Sequence, residues 1–336
     1  MAQQSDRIRD ELGALLPQAS FARGKAIAVL IPCYNEEATV ATVVADFRRA
    51  LPGAAIYVYD NASTDGTANV AAAAGAIVRR EMYRGKGNVV RRMFADIEAD
   101  VYVIADGDGT YEAAAAGRLI DALVSDTIDM VIGVRMADRD EAFRSGHRFG
   151  NWFFNRLVGG LFGRGFTDIL SGYRVVSRRF AKSFPAASAG FEIETELSVH
   201  ALDLRLATAE IALPYGTRPE NSKSKLNTWR DGARILLTIL RMYKTLKPFR
   251  FFGVIGIGLA AFSVVLATPV ILTYVQTGLV PRFPTLILAT AIMQLAVLSV
   301  VCGLIIDAVS GSRRELKRLR YLDLPAPDRH PDTERG

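Results

Sequence analysis

Two acidic residues separated by one glycine, Asp106 and Asp108, directly follow an apolar run in the sequence. That run, residues 101–105, is rich in β-branched and aromatic side chains, which is typical of a buried strand. Ligands of open α/β sheets bind at the carboxyl ends of strands, so this position predicts a site. Two carboxylates with small neighbours suit a hard divalent cation, Mg²⁺ or Mn²⁺, that also contacts phosphate oxygens. A simple Asp/Gly turn is the alternative.

Short apolar runs alternate with helix-like segments on both sides of these acids. We predict helices between successive strands, with the strands over residues 26–31, 55–59, 77–79, 101–105 and 130–133 and the helices over 38–51, 68–74, 88–98 and 113–124. This alternation is typical of a parallel, doubly wound α/β sheet with helices on both faces. Nearly all the polar residues of interest then lie in loops at strand ends, which places the chemistry at one edge of the sheet.

Residues 140–215 follow a less regular pattern. We predict an aromatic helix over 150–162, a strand that begins near 171–175, a helix over 191–201 and a last strand over 211–215. The helix over 191–201 carries Glu194 and Glu196. These two side chains are expected either to order nearby arginines or to form an ordinary helix face.

The C-terminal part is strongly apolar. An amphipathic helix with basic residues between its apolar ones is predicted over 226–248, which is typical of a helix at a membrane surface. Residues 251–275 and 285–306 are each long and apolar enough to cross a bilayer, and basic residues flank them. The positive-inside rule then predicts that both flanks and the N-terminal part are cytoplasmic. A buried helical hairpin in a soluble protein is the alternative.

These patterns divide the chain of 336 residues into an N-terminal helix and linker (1–25), an α/β domain (26–225), a juxtamembrane helix (226–248), a transmembrane hairpin (249–310) and a basic cytoplasmic tail (311–336). The formal net charge of +6 favours anionic partners, and the basic clusters beside the apolar segments explain it without a nucleic acid. Cys33 and Cys302 lie in unlike contexts, and the three histidines form no metal-spaced cluster, so no disulfide or His/Cys metal site is predicted.

Several loop sequences occur in the order found in glycosyltransferase family 2. The matching segments are residues 32–37 (Pro-Cys-Tyr-Asn-Glu-Glu), 60–67, 85–87 (Gly-Lys-Gly), 106–108 (Asp-Gly-Asp), 171–174 (Ser-Gly-Tyr-Arg) and 218–226. Residues 26–250 therefore resemble this family, and most closely its polyprenyl-phosphate (dolichol-phosphate-type) sugar transferases. The resemblance implies a GT-A fold, the Rossmann-like domain for nucleotide-diphospho-sugars, followed here by the amphipathic helix and the transmembrane hairpin.

The resemblance also implies a donor site. Mg²⁺ or Mn²⁺ is expected on Asp106 and Asp108. Asp60 is the expected partner of the base, because Asn61 stands where the family often has a second aspartate. Lys86 is expected to approach the nucleotide, although Gly-Lys-Gly alone fits a plain turn equally well. The full expected nucleotide-binding set is Pro32, Tyr34, Asn35, Glu36, Asp60, Asn61, Lys86, Asp106 and Gly107.

The expected acceptor is a lipid phosphate held by basic side chains, since arginine matches phosphate geometry with a fork of donors. Arg148 is predicted to lie in the loop before the aromatic helix, and Asp168 is the expected base or orienting carboxylate. The expected acceptor-phosphate residues are Arg135, Arg148, Ser171, Arg218 and Lys225, and the expected catalytic residues are Asp108, Asp168, Arg135 and Arg148.

We therefore expect inverting, metal-dependent transfer of one hexose, such as glucose or mannose, from a nucleoside-diphosphate sugar to polyprenyl phosphate at the cytoplasmic membrane face. Two alternatives remain: transfer to another lipid or polysaccharide acceptor, and a non-catalytic nucleotide-binding membrane protein of the same fold. A processive polysaccharide synthase is disfavoured because the chain lacks the Gln-x-x-Arg-Trp motif. The sequence leaves open the sugar, the choice between UDP and GDP, and the formation of a homo-oligomer.

Overall fold

The computed structural model describes residues 24–136, 145–163, 165–214, 216 and 228–327, with the backbone alone at 145–149, 151 and 228–231. The chain divides into two compact units. The first comprises Met1–Leu236 and Lys317–Gly336, and the second comprises Leu237–Leu316. The first unit therefore combines the predicted α/β domain with the end of the chain.

A seven-stranded sheet forms the centre of the first unit in the described part of the chain. Its strands are β1 (Ile27–Cys33), β2 (Ala55–Asp60), β3 (Ile77–Arg80), β4 (Val101–Ile104), β5 (Met130–Met136), β6 (Arg174–Ser177) and β7 (Thr208–Pro214). Their order across the sheet is β3-β2-β1-β4-β6-β5-β7. The predicted strands are confirmed. Apolar runs such as that of β4 are buried along their whole length, as expected for strands covered on both faces.

Strand β6 corrects the prediction of a parallel sheet. It pairs antiparallel with both of its neighbours, β4 and β5. All four of its residues are buried, and such a run has the same composition whichever way the strand points, so its direction is not visible in the sequence. Because β6 runs backwards, Arg174 at its start pairs with Ile104 near the end of β4 and with Ile132 of β5. The loop before β6 therefore reaches the edge where β4 and β5 end.

Helices cover this sheet. In chain order they are α1 (Val40–Ala50), α2 (Thr67–Ala73), α3 (Lys86–Asp96), α4 (Ala116–Ser125), α5 (Ser145–Phe162), α6 (Arg178–Ser183) and α7 (Ile193–Leu204). The buried residues of α1 recur at helical spacing and so share one face: Val40, Val43, Val44 and Phe47. That face belongs to the main core, where the Phe47 ring meets the Tyr173 ring edge-on with centroids 6.2 Å apart.

Helix α5 begins earlier than predicted. It starts at Ser145, so Arg148 belongs to the helix and not to the loop before it. Gly146 and Gly150 lower the local helix propensity, but propagation from the aromatic segment outweighs this cost. The side chain of Arg148 lies outside the described residues.

Two long apolar helices dominate the second unit, α9 (Pro248–Thr277) and α10 (Phe283–Leu322), and α8 (Thr228–Leu246) precedes them. They have 30 and 40 residues, and the most apolar window of each has a mean hydropathy of 2.3, so each is long and apolar enough to cross a membrane. Only 17% of each window is buried inside the chain, whereas the core helix of a soluble protein is mostly buried.

Hydrogen bonds between α9 and α10 show that the two helices run antiparallel. The Ser263 hydroxyl donates to the Ala289 carbonyl at 2.7 Å, and the Ser299 hydroxyl donates to the Phe252 carbonyl at 2.9 Å. Phe252, near the start of α9, thus contacts Ser299 in the middle of α10. Ser263, later in α9, contacts Ala289, which lies earlier in α10. Such bonds satisfy polar groups between apolar helices and give the hairpin arrangement its register.

The last turns of α10 belong to the first unit. The Tyr321 hydroxyl donates to Oδ2 of the buried Asp129 at 2.8 Å, and the Arg179 guanidinium lies 4.6 Å from the centroid of the Tyr321 ring. Nearby, Lys317 Nζ lies 3.3 Å from Asp203 Oδ2. The segment predicted as a basic tail therefore begins as helix.

Candidate active site

Asp106 and Asp108 follow the carboxyl end of β4, at the predicted edge of the sheet. Asp108 is 3% exposed, and its Oδ1 accepts hydrogen bonds from the backbone N–H of Thr110 at 3.1 Å and from the Thr110 hydroxyl at 2.6 Å. The carbonyl of Gly107 accepts from the Thr39 hydroxyl at 2.6 Å. Hydrogen bonds on both sides therefore fix the turn that carries the two carboxylates.

The donor atoms of this turn fit a hard divalent cation. Carboxylate oxygens of Asp106 and Asp108, with the Thr110 hydroxyl nearby, are the ligand types that Mg²⁺ and Mn²⁺ take. Among the described residues, no group of three or more His, Cys, Asp or Glu side chains is placed to hold a metal. A cation here would therefore need further oxygen ligands from water or phosphate, as Mg²⁺ commonly does.

Lys86, the first residue of α3, forms an ion pair with Asp106. On its other side, Nζ lies 2.6 Å from Oε1 of Glu194, near the start of α7. Burial alone would lower the pKa of Lys86, but the two carboxylates outweigh it and raise that pKa, so the ammonium stays charged. The prediction placed Lys86 on the nucleotide. In this structure it is bound between two carboxylates, and the sequence alone did not indicate its contact with Glu194.

The glycines beside Lys86 are required by the close approach of a neighbouring loop. A Cβ at Gly85 would clash with the backbone carbonyl of Ala189, and a Cβ at Gly87 would clash with that of Ser188. The N–H of Gly87 also donates to the Ala189 carbonyl at 3.0 Å. Close packing of the two loops therefore fixes the start of α3, and with it Lys86.

Glu196 supports the same loop from α7. Its two carboxylate oxygens accept hydrogen bonds from the backbone N–H groups of Ala187 and Ser188, both at 2.8 Å. Glu194 and Glu196 thus have different partners, an ammonium and a loop backbone. The sequence, from which we expected either the ordering of nearby arginines or an ordinary helix face, did not indicate these two partners.

Gly172, in the loop before β6, covers the ion pair of Lys86 and Asp106. A Cβ at Gly172 would lie 2.6 Å from Asp106 Oδ2 and 2.9 Å from Lys86 Nζ. The N–H of Gly172 donates to the Tyr111 hydroxyl at 2.8 Å, which holds the loop in place. The backbone therefore lies directly on the ion pair and leaves no room for a side chain.

Asp60 and Asn61, at the end of β2, have different surroundings. Asp60 is buried and its carboxylate accepts from the N–H of Ser63 at 3.2 Å. The Asn61 amide donates to the carbonyls of Glu81 and Tyr83, and its oxygen accepts from the N–H of Gly85 at 2.7 Å. Asn61 therefore holds the loop that leads to Lys86, which differs from the predicted contact with the nucleotide.

Residues after β1 hold the loop after β2. The N–H of Asn35 donates to the Ser63 hydroxyl at 3.0 Å, and its side-chain oxygen accepts from the N–H of Thr64 at 2.8 Å. The N–H of Glu36 donates to the Thr67 hydroxyl at 2.8 Å. These bonds bring the predicted donor loops of β1 and β2 together at one edge.

Tyr34 lies beside an arginine that the sequence did not indicate. The Arg84 guanidinium lies 5.0 Å from the centroid of the Tyr34 ring, and Pro32 stands in β1 just before this loop. A planar guanidinium over an aromatic ring is a favourable cation–π contact and offers a flat surface at this edge.

Arg135 and Asp168 form a bidentate ion pair. Nε of Arg135 lies 2.7 Å from Oδ2 of Asp168, and Nη2 lies 2.8 Å from Oδ1. The carboxylate of Asp168 thus orients the Arg135 guanidinium, because both of its oxygens accept hydrogen bonds from it. Of the two predicted roles for Asp168, this geometry favours the orienting one.

Ser171 is fully buried, and its hydroxyl donates to the Gly133 carbonyl at 2.6 Å. This contact differs from the predicted one with an acceptor phosphate, because the hydroxyl proton is already used inside the protein. Arg218, Lys225 and the side chain of Arg148 lie outside the described residues. Of the residues predicted to bind the acceptor phosphate or to act in catalysis, the structure therefore brings Arg135 and Asp168 together.

Arg174 is a fully buried arginine that the charges of both Glu194 and Asp168 reach, and the sequence alone did not indicate its contacts. It donates to the carbonyls of Ser171 at 2.9 Å and Ile169 at 2.8 Å, so it holds the loop on which Asp168 stands. Burial lowers the pKa of Arg174 to about 10, and the negative charges of Glu194 and Asp168 oppose this shift. The Arg174 guanidinium therefore remains a cation under the influence of both Glu194 and Asp168.

The sequence of this chain is similar to those of known glycosyltransferases. The sequence model of the family described as Glycosyl transferase family 2 matches residues 28–184. Glycosyltransferase AglJ from Haloferax volcanii is 36% identical over 303 residues, which cover 89% of this chain and 98% of the relative. The dolichyl-phosphate hexose transferase of the same organism is 29% identical over 216 residues, 64% of this chain and 93% of the relative.

A solved structure has the same fold. The Mycobacterium tuberculosis glucosyl-3-phosphoglycerate synthase, crystallised with Mn²⁺, uridine diphosphate and glucosyl-3-phosphoglycerate, matches with a TM-score of 0.57 at 24% identity and covers 67% of this chain and 82% of that one. At this identity the likeness shows the fold, which is GT-A. Because AglJ is 36% identical over nearly its whole length, this chain belongs to glycosyltransferase family 2 and is a glycosyltransferase with the GT-A fold.

Proposed function

We propose that this chain transfers a single hexose, such as glucose or mannose, from a nucleoside-diphosphate sugar to polyprenyl phosphate at the cytoplasmic face of the cell membrane. The observation that carries the proposal is that one chain combines the acidic GT-A edge with two helices long and apolar enough to cross a membrane. The relative named for dolichyl-phosphate hexose transfer supports a lipid phosphate as the acceptor.

The donor would lie along the ends of β1, β2 and β4. Asp60 would accept a hydrogen bond from the base, in a loop that Asn35 already orders. Lys86 would add positive charge near the diphosphate. Mg²⁺ or Mn²⁺ held by Asp106 and Asp108 would offset the negative charge that develops on the leaving diphosphate.

The transfer would be a single in-line displacement. An acceptor phosphate oxygen forms a bond to the anomeric carbon while the bond from that carbon to the nucleoside diphosphate breaks, which inverts the configuration. A phosphate monoester has a second pKa of about 6, so it is largely dianionic near neutral pH and no base has to remove a proton. Arg135, oriented by Asp168, would hold the acceptor phosphate together with Arg148, Arg218 and Lys225.

A donor and acceptor screen tests this proposal. The full chain, purified in detergent, would be mixed with UDP- or GDP-hexoses, Mn²⁺ or Mg²⁺, and undecaprenyl or dolichyl phosphate, and the lipid products resolved by mass spectrometry. We expect one lipid phosphate to gain one hexose. Repeated sugar addition, transfer only to another class of acceptor, or nucleotide binding without transfer would each overturn the proposal in favour of an alternative function.

A further inference from the structure

Lys86, Asp106 and Glu194 place two carboxylates against one ammonium. Nζ of Lys86 lies 2.6 Å from Oε1 of Glu194 and is also bonded to Oδ1 of Asp106. The side chains of Lys86, Glu194 and Asp106 are 10%, 7% and 29% exposed. Asp106 is therefore the member of the cluster that a ligand can reach, and Glu194 is the most enclosed member.

The balance of charge decides what Asp106 can bind. An ammonium beside a single carboxylate makes a neutral pair, which attracts a cation only weakly. Burial raises the pKa of Glu194, and the Lys86 ammonium 2.6 Å away opposes this shift; with Glu194 ionised, the three side chains carry one net negative charge. Because Lys86 divides its donors between two carboxylates, Asp106 keeps acceptor capacity for another partner.

The surrounding backbone limits where the ammonium can go. Gly172 lies against both Asp106 Oδ2 and Lys86 Nζ, at 2.6 and 2.9 Å from the position of its missing Cβ. The start of α3 is fixed by the loop packing at Gly85 and Gly87. With the backbone of Lys86 fixed and Gly172 on one side of the ammonium, the two carboxylate partners of Nζ decide where it lies within the remaining space.

We propose that Glu194 is a positioning residue of the donor site, which keeps Asp106 available to a nucleotide-bound divalent cation by holding Lys86. This inference rests on the proposed function, because it takes Asp106 as part of a metal–nucleotide site. Glu194 acts through Lys86 and contributes no atom to the cation.

Calorimetry with Mn²⁺–UDP and Mn²⁺–GDP on the detergent-purified full chain tests the inference without turnover. Glu194→Gln keeps the shape of the side chain and removes its charge. We expect the affinity for the bound Mn²⁺–nucleotide complex to fall at least about tenfold. Unchanged affinity overturns the inference. Tighter binding also overturns it, since Lys86 would then have been withheld from the diphosphate.

A double-mutant cycle separates action through Lys86 from a general structural effect. In a Lys86→Met background Glu194 has no ammonium to hold, so Glu194→Gln should lower the Mn²⁺–nucleotide affinity by clearly less than it does in the wild-type background. An equal loss in both backgrounds overturns the inference. If the wild-type chain binds neither complex, the proposed function fails, and this inference fails with it. If the wild-type chain binds one complex and Glu194→Gln binds it equally well, this inference fails alone.

Glu196→Gln is the matched control. Glu196 is as buried as Glu194 and lies on the same helix, but its carboxylate accepts from the backbone of Ala187 and Ser188. We expect this variant to lower the thermal unfolding midpoint and, because the loop that it holds packs against the start of α3, to lower the Mn²⁺–nucleotide affinity by clearly less than Glu194→Gln does. A loss equal to that of Glu194→Gln would show that any change in α7 weakens the site, and would overturn the inference.

Discussion

At Asp108 a charge can be removed while the local hydrogen bonds remain. Asparagine keeps an oxygen that accepts from the N–H and hydroxyl of Thr110, so the turn should fold as before. It lacks the negative charge that makes a carboxylate a stronger ligand for a divalent cation than a neutral amide oxygen. We expect Asp108→Asn to abolish sugar transfer while the circular dichroism spectrum and thermal midpoint stay close to wild type. Full activity of this variant in the presence of a chelator would contradict the assignment.

A buried histidine gives the first unit a dependence on pH. Nε2 of His200 lies 3.2 Å from the Ser183 hydroxyl, which itself donates to the Phe180 carbonyl and so accepts from the ring. The rings of Phe180 and Phe184 lie 5.2 and 5.3 Å from the His200 ring. Nδ1 has no hydrogen-bond partner among the described residues. This surrounding favours the neutral imidazole.

Burial lowers the pKa of His200 to about 3; the charge of Lys317 adds to this shift and that of Asp203 opposes it. An unfolded histidine has a pKa of about 6.5, so below that pH the unfolded chain binds a proton that the native chain does not. Stability is therefore complete above about pH 6.5 and is lost as the pH falls toward 3, by about 2 kcal/mol at pH 5.

We expect His200→Phe to remove this loss. The thermal midpoint of the full chain, measured at about pH 7.5 and about pH 5, should fall less in the variant than in wild type. Phenylalanine keeps an apolar ring against Phe180 and Phe184, so the variant should still fold. Equal falls in the two proteins would exclude His200 as the origin of the acid sensitivity.

At the scale of elements, the packing of α3 against the loop before α7 depends on glycine. We expect Gly87→Ala to lower the free energy of unfolding by about 1–3 kcal/mol and to weaken nucleotide binding, because its Cβ would displace the Ser188 carbonyl and shift Lys86. Gly117→Ala is the control. Gly117 lies in α4 with open space around its missing Cβ, so alanine there should stabilise by about 0.5–1 kcal/mol. Thermal unfolding and calorimetry measure both effects, and equal stability of the two variants would contradict this account.

Strands β1, β2 and β4 could be predicted because a buried strand needs a continuous apolar run whatever its partner is. The direction of β6 could not, since Arg174–Ser177 has the same composition in either direction. Some site residues could likewise be predicted from the sequence, whereas the contacts of others could not. Asp106 and Asp108 follow directly from a strand end. The partners of Lys86 and Asn61 depend on loops distant in sequence, and an ammonium or an amide serves a ligand or a backbone equally well.

At the scale of the whole molecule, the proposal places the link between α9 and α10 on the side of the membrane opposite the catalytic unit. The reason is that basic residues flank the two apolar segments 251–275 and 285–306 on their outer sides, with Lys244 and Arg250 before the first segment and Arg313 and Arg314 after the second. We expect Leu279→Cys in this link to react with a membrane-impermeant maleimide only from outside the cell.

This experiment requires a background without the native thiols, Cys33→Ser and Cys302→Ser. Asp323→Cys, at an exposed position beyond α10, provides the control and should react only from the cytoplasmic side. Labelling of Leu279→Cys from the cytoplasm alone would refute the proposed topology.

The order of strands in the sheet also affects the synthesis of the chain. Strand β6 completes the sheet between β4 and β5, yet it follows both of them in the sequence. A ribosome adds about 5–20 residues per second, so a nascent chain carries the inner edges of β4 and β5 unpaired for seconds before β6 emerges. Unpaired apolar strand edges promote association between chains. We therefore expect chains that stall before Arg174 to expose surfaces that chaperones can bind, although β6 pairs with both of these strands in the finished sheet.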